Sequence, residues 1–354
     1  MSRRAVVMFL VAILALLLPV VGCGGDSGST SDGYKAAMAT DVGKLGDKSF
    51  NDGVWAGLEQ AGTDLGANVS YLVSEQQTDY VPNLTRLTED GNKLVFAVGF
   101  LMSDAIVELA NAHPDTLYAG IDIDLTDKDF NPIDLPNVRE VLFAEQQCGY
   151  LAGLVAGNMT LQPNASDRLN ADKVVGLVAG MKIPSVDRYI AGYIEAVKSV
   201  DPDITVLLTY TDTFDDPNAG KEAALPMYDK GADIVFQVAG KTGLGVFEAA
   251  KDTGHFAIGV DVDQSAELPE VILTSATKNL QRAALTTVKD ASEGTFTAGN
   301  WVFDLSNDGV GLASFHDFDS IIPQELKDAI EKAKTDMASG ALVPATIVDE
   351  SLAN

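Results

Sequence analysis

The sequence predicts an α/β protein of two doubly wound parallel-sheet lobes joined by a three-strand hinge, with a ligand cleft between the lobes. Short apolar runs alternate with helix-spaced segments along most of the chain. The runs lack the period-2 alternation of a sheet with one wet face, which points to strands covered on both sides. About 320 residues follow a leader and tether, too many for one core, and a hydrophobic content of 46% can fill two.

Residues 35–40 read as the first buried strand. A glycine-bearing loop leads to a helix from Phe50 to Leu65, with Ser49 at its cap and Asp52 three residues on. Strands over 69–73 and 94–98 flank a helix over 80–90. A helix over 102–112 stops at His113-Pro114, and a strand over 117–123 follows. The second half repeats the rhythm with strands over 174–179, 205–210, 233–238 and 256–262. Helices over 186–200, 219–230 and 245–251 lie between them. The division expected is 34–144 plus 264–299 for the N-terminal lobe and 145–263 plus 300–354 for the C-terminal lobe. Hinge points are expected near Phe143-Ala144, Val262-Asp263 and Asn300-Trp301.

Arg3 and Arg4 precede an uncharged apolar stretch over 5–21 that ends in Gly22-Cys23-Gly24-Gly25, the pattern of a secretory signal peptide over 1–22. Val20-Val21-Gly22-Cys23 resembles a bacterial lipobox, so Cys23 is the expected lipidation site and 23–33 the polar tether. An ordinary signal peptide that happens to contain a cysteine is the alternative. Cys148 is the only other cysteine, which leaves no disulfide framework and no cysteine metal site. The formal charge of −27 opposes binding to phosphate backbones, so no nucleic-acid partner is expected, and a polyanionic ligand is disfavoured. No metal, no cofactor and a monomeric state are expected.

In open parallel sheets ligands sit beyond the carboxyl ends of the strands. The residues there include Asp41 with Phe50 and Asn51, Gly99 to Asp104, Phe214, Gly240, Asp261 and, further on, Lys278. Phe50 and Phe214, one from each lobe, can sandwich a flat neutral ring, and stacking on an aromatic side chain contributes about 1–3 kcal/mol. Asp41, Asp104 and Asp261 can accept from ring N–H groups or vicinal hydroxyls at roughly 1.5–3 kcal/mol each. Lys278 can donate to a hydroxyl while balancing buried acid. A flat ring with a diol is a nucleoside. The plainer readings are a hydrophobic staple for Phe50 and helix-start packing for Phe214. The doublets Asp122/Asp124 and Asp261/Asp263 suggest a metal, but alternate strand residues face opposite ways. His113, His255 and His316 read as surface or loop residues, and Glu145, Asp187 and Arg188 as solvated helix faces.

Seven ordered motifs resemble the basic-membrane-protein, or purine-nucleoside-receptor, lipoproteins, a branch of the type I periplasmic binding proteins. They are Asp41-Val42-Gly43 with Asp47-Lys48-Ser49-Phe50-Asn51, Gly99-Phe100-Leu101-Met102-Ser103-Asp104, Gly149-Tyr150-Leu151-Ala152-Gly153 and Gly180 to Val186. Phe214-Asp215-Asp216-Pro217, Phe236 to Gly240, and Gly259 to Gln264 complete the set. The resemblance implies a lipid-anchored receptor of an ABC importer that closes around a purine nucleoside and docks on permease subunits. By residue, it implies Phe50 and Phe214 as the base-stacking pair and Asn51 and Asp104 at the base edge. Asp261 and Lys278 fall to the ribose hydroxyls, with Asp41 and Gly240 lining the site. The chain departs from the family in being strongly acidic. Other flat or sugar-like ligands (riboflavin, a monosaccharide), a sensor role and a secreted nucleoside hydrolase stay open as alternatives. The hydrolase would want a metal-binding aspartate cluster, where the first strand is followed by one acid, a glycine and a lysine.

Overall fold

A computed structural model describes residues 33–129 and 131–353. The expected signal peptide, the Cys23 lipidation site and the tether up to residue 32 lie outside the described residues. The first half runs β1 (Lys35–Ala39), α1 (Phe50–Leu65), β2 (Asn68–Leu72), α2 (Tyr80–Glu89), β3 (Leu94–Val98), α3 (Ser103–Ala112), β4 (Leu117–Ile121) and β5 (Val138–Phe143). The second half runs α4 (Glu145–Met159), β6 (Val174–Ala179), α5 (Pro184–Val200), β7 (Thr205–Tyr210) and α6 (Pro217–Asp229). It continues through β8 (Ala232–Val238), α7 (Leu244–Thr253), β9 (Phe256–Asp261) and β10 (Ile272–Lys278). The chain ends with α8 (Leu280–Glu293), β11 (Gly299–Phe303), β12 (Val310–Leu312) and α9 (Gln324–Ala338).

Two six-stranded sheets result, in the orders β11-β5-β4-β3-β1-β2 and β12-β10-β9-β8-β6-β7. All pairings are parallel except β12, which runs antiparallel to β10 at an edge. Strands β3, β6, β8 and β9 are buried along their whole length, as sheets covered on both faces require. Helix starts follow local chemistry. Asp216 caps α6 by accepting from the N–H groups of Asn218 (3.0 Å) and Ala219 (3.3 Å), and prolines open α5 and α6. Among the described residues no helix is long and apolar enough to cross a membrane.

Sheet membership corrects the expected lobe boundaries. The expected division puts 264–299 in the first lobe and 300–354 in the second, yet β10 pairs with β9 in the second sheet and β11 pairs with β5 in the first. The chain therefore crosses between sheets after Phe143, after Lys278 and after Phe303. The first crossing lies where the sequence placed it, and the other two replace Val262-Asp263 and Asn300-Trp301. The reason for the first shift is that Ile272 to Ser275 are fully buried and complete the second core, whereas α8 packs on α1.

Helices α4 and α5 meet almost backbone to backbone. A Cβ on Gly149 would lie 2.3 Å from the carbonyl oxygen of Tyr189, one on Gly153 2.4 Å from that of Tyr193, and one on Gly192 2.1 Å from that of Gln146. Alanine favours a helix over glycine by about 1 kcal/mol, but here its methyl has no room. Gly153→Ala is expected to lower stability by at least about 1 kcal/mol in urea unfolding. Gly62→Ala in α1, whose methyl would find its nearest atom at 3.4 Å, should not.

Candidate functional site

The carboxyl ends of both sheets border one shared cavity. The first half contributes Asp41 and Gly43 after β1, Phe50 and Asn51 at the start of α1, Gly99 after β3 and Asp122 after β4. The second contributes Val186 and Tyr189 on α5, Phe214 after β7, Gly240 after β8, Asp261 at the end of β9 and Lys278 at the end of β10. Seven of the eight ligand residues expected from the sequence thus share one cavity: Asp41, Phe50, Asn51, Phe214, Gly240, Asp261 and Lys278. Asp104 does not. A 3-10 turn over Phe100–Met102 intervenes after β3, so Asp104 falls in the first turn of α3 with its side chain exposed.

The loop before α1 is built around two buried carboxylates. Asp47 accepts from the backbone N–H groups of Ser49 (3.0 Å), Asn51 (2.8 Å) and Asp52 (3.1 Å), and so serves the helix N-terminus. Ser49 holds the expected cap position, but its hydroxyl turns away and donates to Asp261 Oδ2 at 2.6 Å, a bond between the two halves. Asn51 is fully engaged: its Nδ2 donates to Asp41 Oδ1 (2.9 Å) and Asp47 Oδ2 (3.0 Å), and its Oδ1 accepts from Asp41 N (3.3 Å). It therefore orients Asp41. Gly99 is needed behind Asp41, since its φ is +113° and a Cβ there would sit 3.0 Å from Asp41 Oδ2.

Phe214 is 9% exposed, its ring laid on Gly180, where a Cβ would be 2.2 Å from Cε1. Phe50 borders the cavity from the other half, its ring centroid 5.4 Å from the ammonium of Lys278. That ammonium is buried, 2.6 Å from Asp122 and 2.9 Å from Glu145, with the Phe143 and Tyr189 rings at 5.2 and 5.5 Å. Glu145 also binds Arg188 at 2.6 Å. From the sequence, Glu145 and Arg188 are expected on solvated helix faces. The structure corrects this: the Glu145 side chain is 0% exposed and the Arg188 side chain 22%. Asp122 and Asp261 both adopt left-handed backbone (φ 58° and 65°), a conformation costly for residues other than glycine and characteristic of functional sites. Asp47, Asp122 and Tyr189 also line the cavity; the sequence considers Asp122 only as half of a metal doublet and gives none of the three a ligand role, although Asp122 follows β4 directly and the post-strand rule covers it.

The halves also touch at the cleft rim. Lys44 bridges Glu75 (2.7 Å) and Asp215 (2.8 Å), Asp215 binds Lys241 (2.7 Å), and Gln264 Nε2 donates to the carbonyl of Lys48 (2.9 Å). Among the described residues no three His, Cys, Asp or Glu side chains group as a metal site.

Burial pushes Asp41 up to about 6 and Asp47 up to about 7, against the bonds from Asn51 and neighbouring N–H groups. Burial likewise raises Asp122 to about 6, while the Lys278 and Arg188 charges hold Glu145 below its usual value despite burial. For Asp41, the folded chain keeps a proton that the unfolded chain has lost between about pH 4 and pH 6, so its contribution to stability falls as pH rises through that window. Asp41→Asn keeps the Oδ1 acceptor without the buried charge. It is expected to raise the stability of the free protein at about pH 7.5 by on the order of 1–3 kcal/mol, with little change near about pH 3.5, as thermal melts at the two pH values would measure.

The comparisons with known proteins agree with this architecture. The family model described as ABC transporter substrate-binding protein PnrA-like matches residues 34–346. The chain is 30% identical over 369 residues to the ABC transporter nucleoside-binding protein BmpA of Lactococcus lactis subsp. cremoris, covering 97% of this chain and 99% of that one. It is 32% identical over 318 residues to an uncharacterized lipoprotein of Pyrococcus horikoshii, covering 85% of this chain and 75% of the relative. A solved solute-binding protein of an ABC transporter system from Aeropyrum pernix K1 superposes with a TM-score of 0.80 at 27% identity, over 90% of this chain and 95% of that one. Matched along nearly its whole described length, with a cleft formed where two parallel sheets meet, this chain belongs to the PnrA-like family of ABC transporter substrate-binding proteins.

Proposed function

We propose that the protein captures a purine nucleoside for an ABC importer, in the cavity where Phe50 and Phe214 approach from opposite halves. The observation that carries this reading is the joint placement of those two aromatic side chains with Asp41, Asp261 and Lys278 around one cavity. A purine ring offers two faces to aromatic side chains and N–H donors to Asp41. A ribose offers vicinal hydroxyls that Asp261 and Asp122 accept and that Lys278 donates to. The cavity is rich in acceptors and ringed by acids, which suits a neutral donor-bearing ligand. The nucleoside-binding name of the L. lactis relative supports the same class.

The work of the site is binding and release rather than turnover. Ligand bridges both halves and stabilises the closed form, and opening bends the three connections after Phe143, Lys278 and Phe303. In this reading the protein is a monomer held at the outer face of the membrane by lipid on Cys23, and permease subunits recognise its closed form. The lipoprotein name of the P. horikoshii relative supports the anchor.

Titration calorimetry with adenosine, guanosine, inosine, ribose and riboflavin tests the ligand class. At least one nucleoside should bind while ribose alone does not. Phe50→Ala and Asp261→Ala are each expected to weaken nucleoside binding at least tenfold, about 1.4 kcal/mol, with cooperative folding retained. Asp104→Ala should leave it unchanged. Equal affinity in all three variants would remove the site assignment, and binding of riboflavin alone would replace the ligand.

A further inference from the structure

Glu145 opens α4 at the first crossing between the sheets, wholly buried, and does not itself border the cavity. Its carboxylate meets two cations at once: Oε2 accepts from Arg188 Nε at 2.6 Å, and Oε1 lies 2.9 Å from Lys278 Nζ. Lys278 is shared in turn with Asp122 from the other half, at 2.6 Å, and stands among the Phe50, Phe143 and Tyr189 rings. Asp261 completes the group at the cavity wall. Three carboxylates thus surround two cations, so Lys278, the one lysine among the described residues that borders the cavity, is already more than neutralised.

We propose that Glu145 is a positioning and specificity-determining residue: it holds the Lys278 ammonium against the cavity and cancels its charge, so the site accepts a neutral hydroxyl-bearing ligand and rejects its phosphorylated counterpart. The inference rests on the nucleoside reading above. Its physical basis is the pairing rule for desolvated ions. A phosphate entering here would meet the carboxylates of Asp41, Asp122 and Asp261 with no uncompensated cation to offset its desolvation. Hydroxyl groups bring donors instead, and Asp122 Oδ1 is a buried acceptor without a protein partner. The reaction that supplies such a ligand from a nucleotide is phosphomonoester hydrolysis, completed before capture.

Two variants shift the cluster's charge in opposite directions. Glu145→Gln removes one negative charge and keeps an acceptor for Arg188, while Arg188→Met removes one positive charge. Calorimetry would measure, for wild type and both variants, the affinity for whichever of adenosine, guanosine or inosine binds tightest, and for its 5′-monophosphate. The wild-type preference for the nucleoside is expected to reach at least about a hundredfold. Glu145→Gln should narrow that preference by about tenfold or more, and Arg188→Met should widen it by at least about threefold. A structural loosening would move both ratios the same way, and that result, or an unchanged ratio in either variant, overturns the proposal. If Glu145→Gln does not fold, Arg188→Met decides alone. Wild-type protein that binds no nucleoside would defeat the underlying reading as well, whereas wild-type binding with unmoved ratios would defeat this inference only.

Discussion

A buried ammonium with partners from both halves is the interaction around which the rest of the cleft is arranged. An isolated lysine at such depth would lose its proton or its place. Lys278 keeps both because Asp122 reaches it from the end of β4 and Glu145 from the start of α4. Breaking such a pair by removing one partner is costly, since the other charge stays behind unpaired. The cluster also sits beside two of the three connections between the sheets, after Phe143 and after Lys278. In the function proposed above, the side chains that grip the ligand thus stand at the connections about which the halves move.

The topology explains why so few residues suffice. Both sheets are parallel apart from β12 and present their carboxyl ends to the same space, so β1, β3, β4, β7, β8, β9 and β10 each deliver residues to the cavity. Left-handed backbone at Asp122 and Asp261 turns each chain sharply as it leaves its strand, and at Gly99 and Gly240 glycine takes the same role without a Cβ. Burial raises the pKa of both acids at these turns, and the charge of Lys278 works against that rise.

Much of the fold was legible in one dimension. The run Leu94 to Val98 and the segment Phe50 to Leu65 coincide with their elements because strands covered on both faces are uniformly apolar and helix faces repeat. The strand β5 was missed because Arg139 and Glu140 interrupt its apolar pattern. Arg139 is nevertheless fully buried, its guanidinium 3.7 Å from the Trp301 ring centroid and bound to Asp290 at 2.8 Å. Partners so distant along the chain leave no trace in spacing, and the same holds for Glu145 with Arg188. Asp104 was misplaced by the opposite error, a local rule applied without the extra turn after β3. Seven cavity residues were found because the rule about strand ends is topological and depends only on where strands stop.

The glycine contact between α4 and α5 has a mechanical consequence. With no layer of side chains between them, these two helices can neither slide nor roll without driving main-chain atoms into one another. Glu145 at the head of one and Tyr189 and Arg188 on the other are therefore fixed in mutual distance, whatever the cleft does. In the hinge closure proposed above, the second half moves as one block, and the three connections that join it to the first absorb the opening.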